Sequence, residues 1–126
     1  MRVFKTKSFS RRAKDMGLDD EALLKAIREM LQGLYEANLG GSIYKKRVPL
    51  GARGKSGGAR TIVAFKMKDK AIFLYGFPKN ERGNINKKEE GALKGLADVF
   101  LNYSENQIAD AVKAGDLIEV HDEKIH

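Results

Sequence analysis

Two spacings of apolar residues divide the chain into expected helices and strands. Apolar positions recur about once per helical turn over residues 9–16 and again over residues 23–34, which predicts two N-terminal helices. Residues 61–66 and 71–77 are instead rich in β-branched and aromatic side chains, which predicts two strands joined by a charged turn. Because residues 71–77 are apolar on both faces, we expect that strand at the centre of a sheet.

Capping residues mark where three of the helices begin. Asp19 stands before the second N-terminal pattern and can accept a hydrogen bond from the first turn of that helix. Asn86 with Glu89 has the spacing of a capping box, and so does Ser104 with Gln107. These two pairs predict two helices in the C-terminal third of the chain.

Three further segments are short strand candidates, at residues 2–6, 43–48 and 117–120. The order of elements predicts an α+β protein, with an N-terminal helical hairpin packed on a small antiparallel sheet of three to four strands, followed by C-terminal helices. The length fits one domain over residues 1–126, and we expect residues 121–126 to form a flexible tail.

Positive charge is concentrated in one part of the chain. Residues 37–68 hold eight of the 24 Lys and Arg and none of the 17 Asp and Glu, whereas the formal net charge of the whole chain is +7. The rest of the protein is therefore nearly neutral. Such asymmetry favours a polyanionic partner, most of all a nucleic acid, and the alternative is an ordinary solvated charged surface.

Several classes of protein are excluded or disfavoured by composition. The chain has no Cys, which excludes disulfides, thiolate zinc sites and a cysteine nucleophile. No apolar run approaches the length of a membrane span and the basic N-terminus lacks the apolar segment of a secretory signal, so we expect a cytoplasmic protein with no membrane partner. His121 and His126 are poorly spaced for a shared helical face, and we expect no metal site and no cofactor.

Glycines surround two cations in residues 51–58, where Arg53 and Lys55 lie. This composition predicts a flexible cationic loop. Residues 54–56 have the sequence that ends a P-loop, but the first glycine of that motif would fall on Pro49 and a strand follows where a helix must begin. We therefore do not expect a nucleoside triphosphate site.

Cations from two neighbouring strands are predicted to meet at one end of the sheet. If the turn between the strands centres on residues 68–69, antiparallel pairing sets Arg60 opposite Phe77, within a residue or two. Arg60, Lys79 and Arg82 would then converge. The alternative is a surface cluster in which Arg60 extends into solvent or pairs with a nearby carboxylate.

The residues around this end of the sheet carry a family resemblance. Residues 55–62, 75–77 and 79–85 are similar to the core of RelE-type toxins of bacterial toxin–antitoxin pairs, nearest to the HigB-like branch. The element order agrees over most of the chain, while the specific motifs lie within residues 55–85. The resemblance implies a compact α+β toxin that cuts mRNA, usually in the ribosomal A site, and that a cognate antitoxin protein blocks.

The resemblance also carries over to single positions. The strand arginine that follows the glycine pair in the family matches Arg60, the lysine after the next strand matches Lys79, and a following arginine matches Arg82. Two positions depart from the family pattern. Asn80 stands where an arginine often follows the lysine, and Asn86 stands where some members have a tyrosine at the next helix start.

The resemblance implies a metal-independent endoribonuclease in which the substrate's own 2′-OH attacks the neighbouring phosphate. Arg60 and Arg82 would stabilise the charge that develops on the phosphate. Lys79, Glu81 or groups on the ribosome would transfer protons, and we favour Lys79. The cations expected to hold the RNA or rRNA backbone are Lys45, Lys46, Arg47, Arg53 and Lys55.

Two alternatives stay open on the sequence alone. In the first, the protein is a noncatalytic nucleic-acid-binding module in which the same basic surface binds and nothing is cut. In the second, it resembles the related ParE-type toxins, which share the architecture but act on DNA gyrase by binding it.

Overall fold

The computed structural model describes residues 1–50 and 58–121 of the chain. Within these ranges the fold is α+β, as predicted. The elements, in chain order, are β1 (Arg2–Thr6), α1 (Lys7–Met16), α2 (Asp20–Leu31), β2 (Ala37–Gly40), β3 (Ile43–Val48), β4 (Ala59–Lys66), β5 (Lys70–Pro78), α3 (Lys87–Leu101), α4 (Glu105–Ala114) and β6 (Leu117–Val120). The predicted cationic loop with Arg53 and Lys55, and the tail after His121, lie outside the described residues.

The strands form one six-stranded sheet in the order β2-β3-β4-β5-β1-β6. The strand β1 runs parallel to β5, and every other neighbouring pair is antiparallel. The prediction of three to four strands is therefore wrong in strand number, and its antiparallel direction holds for every pair except β1–β5. The β1 segment pairs with a strand more than 60 residues later in the chain (Val3 with Ala71), and no local pattern specifies such a long-range partner.

Helices cover both faces of the sheet. On one face, α1 and α2 bury Phe9 and Leu23 in a core that includes Phe73 of β5. On the other face, α3 and α4 contribute Phe100 and Ile108 to a second core. The predicted N-terminal hairpin needs correction, because α1 packs mainly on β5 and α2 on β3, so each helix contacts the sheet more than it contacts the other helix.

The predicted helix starts are confirmed. The Asp19 carboxylate accepts a hydrogen bond from the backbone N–H of Ala22 at 2.9 Å. The capping box of α3 joins Asn86 and Glu89, and that of α4 joins Ser104 and Gln107 in the same way. Each cap satisfies backbone N–H donors that have no partner inside the helix, and so fixes the residue at which the helix begins.

The β4–β5 pair positions the residues predicted to converge. Arg60 lies directly opposite Phe77, as predicted, and a register shift between Ile62 and Val63 sets this pairing. Gly76 precedes Phe77, and a Cβ atom there would lie 2.9 Å from Phe9 Cε1. This glycine therefore allows α1 to approach the sheet closely.

Candidate active site

The strands β3 and β4 carry three cations on the face of the sheet that α3 covers. Arg47 lies directly opposite Arg60, and Lys45 lies opposite Ile62. Ile62 belongs to the core that α3 and α4 form. Since directly opposite residues of an antiparallel pair project to the same face, Lys45, Arg47 and Arg60 all belong to the α3 side. We call these three residues the cation face.

Arg60 has an unsatisfied donor within the described structure. Its Nη1 atom is buried and has no hydrogen-bond partner, and a buried charged donor without a partner is energetically costly. Arg47 occupies the directly opposite position on β3, which is a second unfavourable feature because like charges at directly opposite positions destabilise a sheet. An anion bound between the two arginines would relieve both costs.

Arg82 reaches the same end of the sheet from the segment after β5. Its guanidinium carbon lies 5.4 Å from the centre of the Phe77 ring, and Phe77 is the cross-strand partner of Arg60. Arg82 therefore lies close to the cation face. The predicted convergence of Arg60 and Arg82 agrees with this arrangement.

The charge of Arg82 is not free, however. Its Nη1 and Nη2 atoms donate to the two carboxylate oxygens of Glu89 at 2.8 and 2.5 Å. Nη1 is also 3.4 Å from the Tyr75 hydroxyl. Hydrogen bonds from Arg82 and from the Asn86 backbone hold the pKa of Glu89 below its usual range, so Glu89 is ionised at neutral pH.

Asn84 connects Arg82 to the cation face. Its backbone carbonyl accepts a hydrogen bond from Arg82 Nε at 3.0 Å, and its side-chain oxygen accepts one from Lys45 Nζ at 3.5 Å. The cap of α3, Asn86, lies two residues later, and the helix begins at Lys87. The partial positive charge of a helix N-terminus therefore adds to the field of the cations.

Lys79 and Glu81 differ in how they are held. The backbone N–H of Lys79 donates to Gly58 O at 3.2 Å, which places Lys79 beside the start of β4. The Lys79 side chain is exposed and forms no ion pair with any described residue. Glu81 pairs instead with Arg12 of α1, whose Nη2 atom lies 3.3 Å from each of the two Glu81 carboxylate oxygens. Arg12 is anchored by a 2.6 Å hydrogen bond from its Nε to Gly76 O.

Lys46 does not join the cation face, and its prediction as an RNA contact needs correction. Its side chain is only 7% exposed and forms an ion pair of 2.8 Å with Glu29 of α2. Hydrogen bonding to Lys46 lowers the pKa of Glu29. Because side chains alternate along a strand, Lys46 points to the α2 side, opposite to Lys45 and Arg47.

Sequence reasoning missed the side-chain roles of Tyr75 and Glu89. The sequence patterns place Tyr75 only within an apolar strand and give Glu89 only a capping role. Strand alternation offers a signal for Tyr75, since it lies two residues before Phe77 and so on the same face. In residues 1–50 and 58–121, no group of three or more His, Asp and Glu side chains is arranged to hold a metal ion.

The sequence as a whole matches one family model. The model describes the RelE toxin of the RelE / RelB toxin–antitoxin system, and it matches residues 1–120. The chain belongs to the RelE toxin family. No curated protein matches this RelE-family chain. None of the helices in the described ranges is long and apolar enough to cross a membrane.

Family membership confirms the resemblance stated from residues 55–85. The protein is thus a toxin of a toxin–antitoxin system, and a cognate antitoxin is its implied partner. Of the positions that the motif carries over, Arg60 is the cross-strand partner of Phe77 and Arg82 lies over the Phe77 ring. Lys79 lies at the same end of the sheet.

Proposed function

We propose that this RelE-family toxin is an endoribonuclease that grips one phosphate of mRNA on the cation face and cuts the strand there, in the ribosomal A site. The observation that carries the proposal is the Arg47–Arg60 pair. Two arginines lie at directly opposite positions, and the buried Nη1 atom of Arg60 has no partner among the described residues, which supports binding of an anion there. The phosphate group is the anion that a nucleic acid presents, and guanidinium groups bind it through two parallel hydrogen bonds.

The proposed reaction uses the RNA's own nucleophile. The 2′-OH attacks the adjacent phosphorus and loses its proton, the bond from phosphorus to the 5′-oxygen breaks, and that oxygen takes up a proton. The products are a 2′,3′-cyclic phosphate and a 5′-OH. Arg60 would donate to the phosphate oxygens as their negative charge grows, and a preorganised donor of this kind contributes about 2.7–4 kcal/mol to catalysis.

The proton transfers fall to groups at the end of β5 or on the ribosome. Lys79 is the favoured candidate, since its side chain is exposed beside the start of β4. Glu81 is a weaker candidate, because Arg12 already holds its carboxylate.

The rest of the cation face would hold the RNA or rRNA backbone. Lys45 and Arg47 lie beside Arg60 and would add phosphate contacts that carry no sequence preference. Arg53 and Lys55 belong to the same proposal, although they lie outside the described residues. We further propose that the toxin acts in the cytoplasm and that its antitoxin blocks this face.

Expression in bacteria tests the proposed function. Wild-type toxin and Arg60→Ala are induced separately, and the 5′ ends of cellular mRNAs are mapped after each induction. The proposal predicts new mRNA 5′ ends with the wild type and at least a hundredfold fewer with Arg60→Ala. A charge-matched control, Arg11→Ala on the exposed surface of α1, should cut like the wild type.

The alternatives predict different results. A noncatalytic binding module would leave the mRNA 5′ ends unchanged on induction of the wild type, while RNA binding would still weaken in Arg60→Ala. A gyrase-binding toxin would cause DNA damage without early arrest of translation. Either result would overturn the proposed nuclease activity.

A further inference from the structure

The carboxylate of Glu89 lies beside the cations that are proposed to bind RNA. Arg82 has only one N–H donor left for a further ligand, because a guanidinium has five such donors and the protein already uses four of them. Two go to Glu89, one to the Tyr75 hydroxyl and one to Asn84 O. An RNA phosphate can accept hydrogen bonds from these two N–H groups of Arg82 only if their hydrogen bonds to Glu89 break first.

The Arg82–Glu89 pair is open to exchange. The two side chains are 30% and 31% exposed, so an incoming anion can reach the pair from solvent, and water screens the attraction within it. A phosphate presents two oxygens to a guanidinium with the same fork geometry as a carboxylate. The two N–H groups that hold Glu89 therefore fit a phosphate equally well.

Glu89 has a second partner to which it can stay bound. Its Oε1 atom accepts a hydrogen bond from the backbone N–H of Asn86 at 2.9 Å, and its own N–H donates to Asn86 Oδ1 at 2.8 Å. The capping box of α3 is thus independent of Arg82. Release of Arg82 by Glu89 leaves the start of α3 intact.

We propose that Glu89 is an internal competitor of the RNA phosphate, holding Arg82 in the free toxin and giving it up to the substrate. It thereby sets the affinity of the toxin for RNA. This inference rests on the proposed function, because it needs RNA on the cation face. It assigns Glu89 a role in substrate binding in addition to its role as a helix cap.

Binding of a single-stranded RNA oligonucleotide tests the inference. The oligonucleotide carries 2′-O-methyl groups, so it cannot be cut during the measurement, and fluorescence anisotropy reports its affinity for purified toxin. Glu89→Gln removes the charge but keeps the capping box, since Gln also serves at that position. The matched control is Glu90→Gln, which loses the same charge from the ion pair with Lys94.

The two variants should differ in both affinity and salt dependence. Relative to Glu90→Gln, Glu89→Gln should bind RNA about threefold more tightly at low salt, and its logarithmic salt slope should be more negative by about 0.7, the value of one added phosphate contact. Adding Arg82→Ala to Glu89→Gln should abolish the gain. Equal affinities for the two single variants, or a gain that survives Arg82→Ala, would overturn the inference.

Two further measurements keep the result interpretable. Thermal unfolding checks that each variant is folded. If Glu89→Gln does not fold, Glu89→Asp replaces it, because its shorter side chain weakens the hydrogen bonds to Arg82 and should also raise the affinity for RNA. Arg60→Ala is measured in the same assay. If it binds RNA like the wild type, the proposed function fails; if it binds weakly while Glu89→Gln matches Glu90→Gln, only the role of Glu89 fails.

Discussion

Arg47 and Arg60 lie directly opposite each other on β3 and β4, with their side chains on the same face of the sheet. Like charges in this position repel, and one guanidinium nitrogen of Arg60 is buried without a partner among the described residues. The free protein is thus less stable at this point than it would be with neutral side chains. A phosphate bound by these two arginines would turn the loss of folding stability into a gain.

Inorganic phosphate should stabilise the wild-type protein through this arginine pair. At about ten times its dissociation constant it should add about 1.4 kcal/mol to the free energy of unfolding, measured against chloride at equal ionic strength. Arg60→Met should lose this gain and, without phosphate, should be more stable than the wild type by about 0.5 kcal/mol, because the repulsion is removed. In Arg11→Gln the phosphate effect should be unchanged, and an equal loss there would contradict the pair's role.

Lys45 and Lys46 should differ sharply in RNA binding although they are adjacent. Lys45→Met should reduce the magnitude of the logarithmic salt slope by about 0.7, since one contact to a single-stranded phosphate is lost. Lys46→Met should leave the slope unchanged, because that side chain is buried against Glu29. The measurement is RNA affinity as a function of salt concentration, and a larger effect at Lys46 would show that the binding face is wrongly placed.

The Lys46–Glu29 pair should make stability depend on acid pH. The pKa of Glu29 is lowered in the folded state from its ordinary value of 4.5, so its stabilising contribution is complete above about pH 4.5 and is lost as the pH falls through the lowered value. Lys46→Met should cost about 1–2 kcal/mol at pH 7, less than for a fully buried pair because Glu29 is partly solvated. Urea unfolding of both proteins at pH 7 and pH 3 measures this, and the difference between them should shrink at pH 3. A difference that is constant with pH would exclude the ion pair as its cause.

Lys79 and Glu81 should contribute unequally to cleavage. Lys79→Met should slow single-turnover cleavage of mRNA on programmed ribosomes by about a hundredfold, the usual size of a lost general acid or base. Glu81→Gln should slow it less than tenfold, since Arg12 and not the reaction is the partner of that carboxylate. The reverse order of the two effects would assign the proton transfer to Glu81.

Local signals in the sequence predicted much of the fold. The caps at Asp19, Asn86 and Ser104 depend on residues within four positions of each other. The Arg60–Phe77 pairing depends on one short turn and on the register shift between Ile62 and Val63. The parallel pairing of β1 with β5 could not be predicted in this way, because its free energy comes from contacts between distant segments. The direction of this one pair was wrong for that reason.

The candidate site was predictable only in outline. Period-two alternation separates Lys46 from Lys45 and Arg47 on any strand, but only the position of α2 shows which side is buried. The pairing of Arg82 with Glu89 depends on where the first turn of α3 lies relative to the end of β5. Charge and spacing therefore indicated which cations to consider, while packing decides which of them are free to bind an anion.

The most direct test of the account is single-turnover cleavage of mRNA on programmed ribosomes by wild-type toxin, Arg60→Lys and Arg60→Ala, with ribosome binding measured for each. Arg60→Ala should cut at least a hundredfold more slowly than the wild type while remaining folded, and Arg60→Lys should recover only part of the rate, because a lysine lacks the fork of donors. Cleavage by Arg60→Ala at the wild-type rate would contradict the claim that the Arg47–Arg60 pair grips the phosphate at which the strand is cut.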